Sequence, residues 1–289
     1  MSTDTLNQTV ATPIGRARPR KATRRRKSEV NPVAVRGTQI AIVVAALALW
    51  EFAAQQLWID SFFVGQPSAI AESLWGWITD GSLLRNAWVT FSEAASGFVI
   101  AVVLAIPIGI FLARNKFWGS VAKTFVDLAN STPRFALAPL FVLFFGLGPA
   151  PKVVLVVSVV FFLMLINTIA GVESIDDNLL RMGRLLNASK FQTFRKLILP
   201  ATGEWLIAAM RMSAPYALAA AVVGEMISST EGLGYLVVKY AGLLETSKVF
   251  AAVFCLALCG WTLNAIATGL AQRTPWMKAR QSTGGGRPT

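Results

Sequence analysis

The 289 residues contain no histidine and only two cysteines, and these absences remove most familiar catalytic chemistry. Without imidazole there is no Ser-His or Cys-His nucleophile pair, no His-ligated metal or haem, and no ordinary switch near neutral pH. Cys255 and Cys259 stand four apart in an apolar run, so neither a disulfide framework nor a Cys-x-x-Cys motif exists. They read as small packing residues on one helix face. Charge is scarce too: Asp, Glu, Lys and Arg make up 15% of the chain, where soluble domains carry ~25%. With 54% hydrophobic residues and a mean hydropathy of +0.55, an ordinary soluble domain is excluded. Acid is the scarcer sign, 15 Asp and Glu against 27 Lys and Arg, for a net charge of +12. That excess suggests nucleic-acid binding in a soluble chain. Here the basic residues cluster in particular segments and read as loops facing a cytoplasm, with no nucleic-acid partner.

What is abundant is long apolar sequence. A helix needs ~20 mostly apolar residues to cross ~30 Å of hydrocarbon. Six stretches qualify: 37–57, 86–113, 117–147, 153–172, 205–224 and 249–272. The third holds Lys123, Asp127 and Arg134 and is broken by Pro133 and Pro139, so it reads as an interrupted helix whose freed backbone groups face other helices or a cavity. The expected fold is an all-α integral membrane protein, a six-span bundle over residues 37–276. A basic N-terminal tail (1–36) and a flexible C-terminal tail (277–289) flank it. The first run lacks an A-x-A-type cleavage site and follows a long basic segment, so it is expected to be a span rather than a signal peptide. The basic tail is expected to meet anionic lipid headgroups.

Orientation follows from counting. With the N-terminus inside, the inner segments hold 21 Lys and Arg and the outer loops four, Arg85, Lys152, Lys239 and Lys248. Both termini are therefore expected in the cytoplasm. Arg134 and Arg211 are left at membrane depth. Arg134 is expected to snorkel or to pair with Asp127, and Arg211 to pair with Glu204 or Glu93 or to reach water at the inner surface. Gly97, Gly109 and Gly171 read as permitting close helix packing. Glu225, at the outer end of the fifth span, reads as a gate, a binding-protein contact or an ordinary helix-end carboxylate.

One inner loop, about residues 173–200, has internal design. Asp176 can cap a first short helix, with Asp177 at its positive end. Leu179, Met182, Gly183 and Leu186 then share a small, apolar face. Asn187 sits where that helix must stop, because Asn tolerates the left-handed conformation such a position requires. Ser189 followed by Gln192 is a capping box for a second helix, striped by Phe191, Phe194, Leu197 and Ile198 and expected to end at Pro200. The pair reads either as a surface helix on its own bundle or as a docking element, with Phe191 and Phe194 as anchors.

The run from Arg181 to Leu199-Pro200 resembles the "EAA" loop of permease subunits of bacterial ABC importers, in the nitrate/sulfonate/taurine-type branch. Arg181 stands where that family usually has Glu, and Asn187 where it has Gly. Further segments match in order: Phe62-Phe-Val-Gly-Gln-Pro-Ser, Pro133-Arg-Phe-Ala-Leu-Ala-Pro139-Leu with Phe144-Phe-Gly, and Glu225-Met through Thr230-Glu-Gly232-Leu-Gly234-Tyr235. The resemblance covers about residues 62–276. It implies a type I ABC importer-like fold with cytoplasmic coupling helices, in a bacterial inner membrane. The implied partners are a cytoplasmic ATPase dimer, a second permease copy, and a periplasmic or lipid-anchored substrate-binding protein. The coupling residues it implies are Arg181, Gly183, Asn187, Ala188, Ser189, Phe191, Phe194 and Pro200.

No Gly-x-x-x-x-Gly-Lys run occurs, so ATP and Mg are expected on the partner, with no catalytic residue, metal or cofactor in this chain. Arg134, Arg211 and Glu225 are the expected pathway residues. A guanidinium suits a small anion such as a sulfonate, taurine or nitrate. The alternative cargo is a neutral or aromatic vitamin precursor. A secondary transporter, the reading from another class, needs coupling-ion carboxylates or internal repeats, and no clear repeat is seen.

Overall fold

The computed structural model describes residues 32–272, and the basic run before Pro32 and the tail after Gln272 lie outside them. α1 (Pro32–Gln55) begins five residues earlier than the first apolar run, with a proline in its first turn, where the missing N–H breaks no helical bond. Its first part, through Ala46, forms a unit of its own with exposed side chains from Val35 onward.

Residues from Leu47 form the second unit. There Glu51, the one charge in the first span, accepts hydrogen bonds from Gln66 Nε2 (2.6 Å) and from the Ser68 backbone N–H (3.0 Å). A carboxylate thus sits on the N-terminus of α3 (Pro67–Thr79), which follows the single turn α2 (Ser61–Val64).

The centre is three long helices: α4 (Ser82–Arg114), α7 (Pro149–Glu173) and α10 (Leu199–Ser228). Their buried faces are built from alanines 94, 101, 105, 209, 214, 217, 220 and 221 against Val156, Val160 and Met164. Small residues are needed here because lipid is as apolar as a leucine side chain, so attraction between helices comes from close packing. The glycines show how close. A Cβ on Gly97 would lie 2.5 Å from Val156 Cβ, on Gly109 2.8 Å from Thr168 Cβ, and on Gly171 2.8 Å from Trp205 Cβ. The packing role expected for these glycines is what the structure shows.

Among the described residues five helices are long and apolar enough to cross a membrane, and a bent pair, taken as one span, supplies a sixth. That pair is α5 (Lys116–Ser131) followed by a 3-10 turn (Arg134–Leu137) and α6 (Ala138–Phe145), bent by 83° at the break. The interrupted third span is therefore present, broken at Pro133 as expected. After α7 come α8 (Asp177–Leu185) and α9 (Lys190–Thr193), and after α10 come α11 (Leu233–Gly242) and α12 (Thr246–Gln272). The expected spans hold, and all but the broken third are longer in the structure than their apolar runs.

Candidate functional site

Helix directions define two ends of the α4–α7–α10 bundle. The 174–198 connection closes one end, and the 146–149 and 229–232 turns close the other.

The connection is built as its sequence dictates. Asp176 accepts from the Asn178 N–H at 2.8 Å, capping α8. Asn187 has φ +50, and the Ala188 N–H donates to the Gly183 carbonyl at 3.0 Å, the six-residue closure of a Schellman turn. The capping box is reciprocal: the Gln192 N–H donates to Ser189 Oγ at 3.1 Å, and the Ser189 N–H to Gln192 Oε1 at 2.9 Å. Three local devices within seventeen residues, Asp176 to Gln192, fix the backbone of the connection.

Two expectations here are corrected. The second helix does not end at Pro200. After α9 the chain passes through a π turn (Phe194–Ile198), where the Leu199 N–H donates to the Phe194 carbonyl, and then continues as α10. Pro200 falls at the start of α10, where it donates no N–H to the π turn before it. Phe191 and Phe194 also part company. Phe191 is 67% exposed, whereas Phe194 is half-buried and packs against Ile110, Val172 and Ile198. Gly183 is buried under Leu197, whose Cδ1 lies 2.6 Å from where a Cβ would stand. What remains outside is an apolar surface of Met182, Leu185 (83% exposed), Leu186 and Phe191, with Arg181 exposed beside it.

At the other end is a buried polar network that sequence reasoning missed. Lys152, counted above as a loop cation, is 5% exposed and pairs with Glu93 at 2.5 Å. Its Nζ also donates to Ser229 Oγ at 3.1 Å. Glu225, 1% exposed, accepts from Thr90 Oγ1 and from the Gly234 N–H, both at 2.7 Å. The Gly232 N–H donates to Asn86 Oδ1 at 2.7 Å and the Leu233 N–H to Thr90 Oγ1 at 2.8 Å. Asn86 and Thr90 of α4 and Glu225 of α10 thus hold the Gly232–Gly234 turn. The available signal was Glu93 itself, a carboxylate in mid-span that required a cation from another helix.

The remaining pairings also differ from expectation. Glu93 faces Lys152 and not Arg211, which is exposed. Arg134 does not pair with Asp127. Its guanidinium donates to the Ala129 carbonyl (3.0 Å) and Asn130 Oδ1 (3.3 Å) and lies over the Phe162 ring, 4.8 Å from its centroid. The break at Pro133 turns Arg134 back onto the end of α5, away from Asp127, the neighbour two turns back in a continuous helix. Among the described residues, no hydrogen bond or ion pair joins Arg134, Arg211 and Glu225. No group of three or more metal-ligating side chains occurs there either.

The pattern of the binding-protein-dependent transport system inner membrane components matches residues 105–274, more than half of the chain. The chain belongs to this family. The permease is 30% identical to the riboflavin transport system permease protein RibX of Chloroflexus aurantiacus, over 78% of this chain and 84% of RibX. It is 26% identical to the taurine transport system permease protein TauC of Escherichia coli, over 82% of this chain and 90% of TauC. Its fold is similar to a permease chain in an inward-facing structure of the MetNI methionine ABC transporter (TM-score 0.58, 17% identity, 66% of this chain and 94% of that one). It is thus an ABC importer permease with the type I importer fold, as the resemblance implied.

Proposed function

We propose that this permease, paired with a second copy, carries a small polar solute handed over by an external binding protein and driven by two ATPase subunits on its cytoplasmic side. The observation that carries the reading is the connection between α7 and α10: an exposed apolar surface on a backbone held by a Schellman turn and a capping box. A surface so placed and so rigid suits a groove on a soluble partner, because little conformational entropy is lost on docking. Since the π turn runs unbroken into α10, a push on Phe191 is delivered to a helix reaching the far end of the bundle, a rigid-body coupling.

Co-purification with the cognate ATPase tests this. Leu185→Asp and Phe191→Asp, each at a position typical of a hot spot worth ≥ ~2 kcal/mol, are expected to lower ATPase recovery about 30-fold while leaving the permease's melting temperature unchanged. Phe194→Ala is expected to lower the melting temperature, since that ring packs inward. Undiminished ATPase recovery with both aspartates present would defeat the proposal.

The orientation belongs to the same reading. With Lys152 withdrawn from the outer count, the inner excess of Lys and Arg becomes 21 to three. Reporter fusions after Gly232 and after Arg280 are expected to lie in opposite compartments. The same compartment for both contradicts the topology.

For the cargo, taurine and riboflavin are the solutes that the names of TauC and RibX carry, and they differ in charge and size. A simple anion drawn in by Arg134 and Arg211 has weak support from the geometry. Arg134 spends Nη2 on a carbonyl and an amide and its plane on a ring face, which leaves its buried Nε without a hydrogen-bond partner among the described residues, and Arg211 is exposed.

A further inference from the structure

The Glu93–Lys152 pair lies at the base of a cleft of about 680 Å³, between the end of α10 and the adjoining ends of α4 and α7. Its lining carries three charges, Glu93, Lys152 and Glu231, beside the hydroxyls of Ser228 and Ser229, and its apolar walls include Val89 and Ile227. The neighbouring charges are engaged: Glu231 pairs with Arg85, and both oxygens of Glu225 accept hydrogen bonds.

The pair itself is unfinished. Glu93 Oε1 is held by Lys152, but Glu93 Oε2 is buried with no hydrogen-bond partner among the described residues. Lys152 has three N–H donors and uses two, on Glu93 and Ser229. A buried acceptor left unmade is costly, so this arrangement favours a ligand that brings a donor. Because Oε2 is buried, a solute reaches it only as the Glu93–Lys152 pair opens. A simple anion could then take Lys152 but would strand a buried Glu93 carboxylate, and a simple cation would strand Lys152. A zwitterion replaces both halves of the pair at once and leaves neither charge unmatched.

We propose that this cleft is a solute site for a small zwitterion, its ammonium on Glu93 and its acid group on Lys152. This rests on the importer reading and narrows its cargo to solutes carrying both charges. The Ser228 and Ser229 hydroxyls are spent on the Gly224 and Glu231 carbonyls, so the unused third donor of Lys152 is what the cleft offers an acid group.

The test is binding to the purified full chain in lipid nanodiscs, by calorimetry or saturation-transfer NMR. The probes are taurine and β-alanine as zwitterions, with ethanesulfonate lacking the ammonium and ethylammonium lacking the acid. At least one zwitterion is expected to bind at least tenfold more tightly than either single-charge probe. Glu93→Gln is expected to erase that preference. Glu93→Gln with Lys152→Met removes both charges, so it strands none of them, and is expected to bind all four probes equally weakly. Two results would overturn the site: single-charge probes binding as well as the zwitterions, or no saturable binding of any probe by a chain that still recovers its ATPase. A chain that recovers no ATPase fails the docking proposal instead, and the probe comparison reads independently of it.

Discussion

Gly232→Ala is expected to leave almost no monodisperse, folded permease, and the reason is local. Gly232 has φ +110, a conformation that costs a residue with a Cβ ~1–3 kcal/mol. The added carbon would also stand 2.2 Å from Glu225 Oε1 and 2.4 Å from its carboxyl carbon. Glu225 cannot move aside cheaply, because it is buried and holds Thr90 and the Gly234 N–H. Each of those bonds involves a carboxylate and is worth ~1.5–3 kcal/mol, so the total expected loss is about 4 kcal/mol or more. Gly76→Ala is the control. A Cβ there meets nothing within 4 Å in the middle of α3, and alanine is expected to match or slightly raise the wild-type melting temperature. Thermal unfolding followed by size-exclusion recovery measures both. A Gly232→Ala protein melting with the wild type would show that Glu225 is not where the structure puts it.

Lys152→Met is expected to be nearly as damaging, by a different route. The substitution keeps the volume of the side chain but leaves Glu93 buried and unpaired, and breaking a buried pair from one side costs ~3–5 kcal/mol. Glu93→Gln alone is milder, since the Lys152 ammonium keeps Ser229 and gains an amide oxygen in place of the carboxylate. Combining the two is expected to recover ~2–3 kcal/mol of the Lys152→Met loss, because the double variant buries no unmatched charge. Melting temperatures of the two singles and the double close the cycle. Simple additivity would mean that Glu93 and Lys152 do not touch in the membrane. By contrast, the exposed Arg85–Glu231 bridge is expected to be worth less than ~1 kcal/mol.

How much of this was legible beforehand depends on the range of each interaction. The turn at Asn187, the Asp176 cap and the Ser189–Gln192 box were readable because each joins residues no more than about five apart. The spans were readable for the same reason, since twenty apolar residues in a row need no information from elsewhere in the chain. Gly97, Gly109 and Gly171 were readable in kind, as small residues in apolar helices, but not in partner. That Val156, Thr168 and Trp205 are what they admit depends on the register of α4 and α10 against α7.

The expectations that failed all involved distance along the chain or the geometry of a break. A salt-bridge partner is chosen by which helix faces which, so Glu93 took Lys152, fifty-nine residues away, in preference to Arg211. Arg134 lost Asp127 because the 83° bend breaks the helical periodicity on which that pairing relied. Phe194 turned inward because Ile110 and Val172, on other helices, complete its packing, a long-range contact that no side-chain pattern announces. The sequence by itself therefore determined the helices, their caps, the membrane as solvent and the family. The tertiary structure alone decided which buried charges meet, and with them the cleft at Glu93 and Lys152, because burial makes a long-range contact worth more than any local preference.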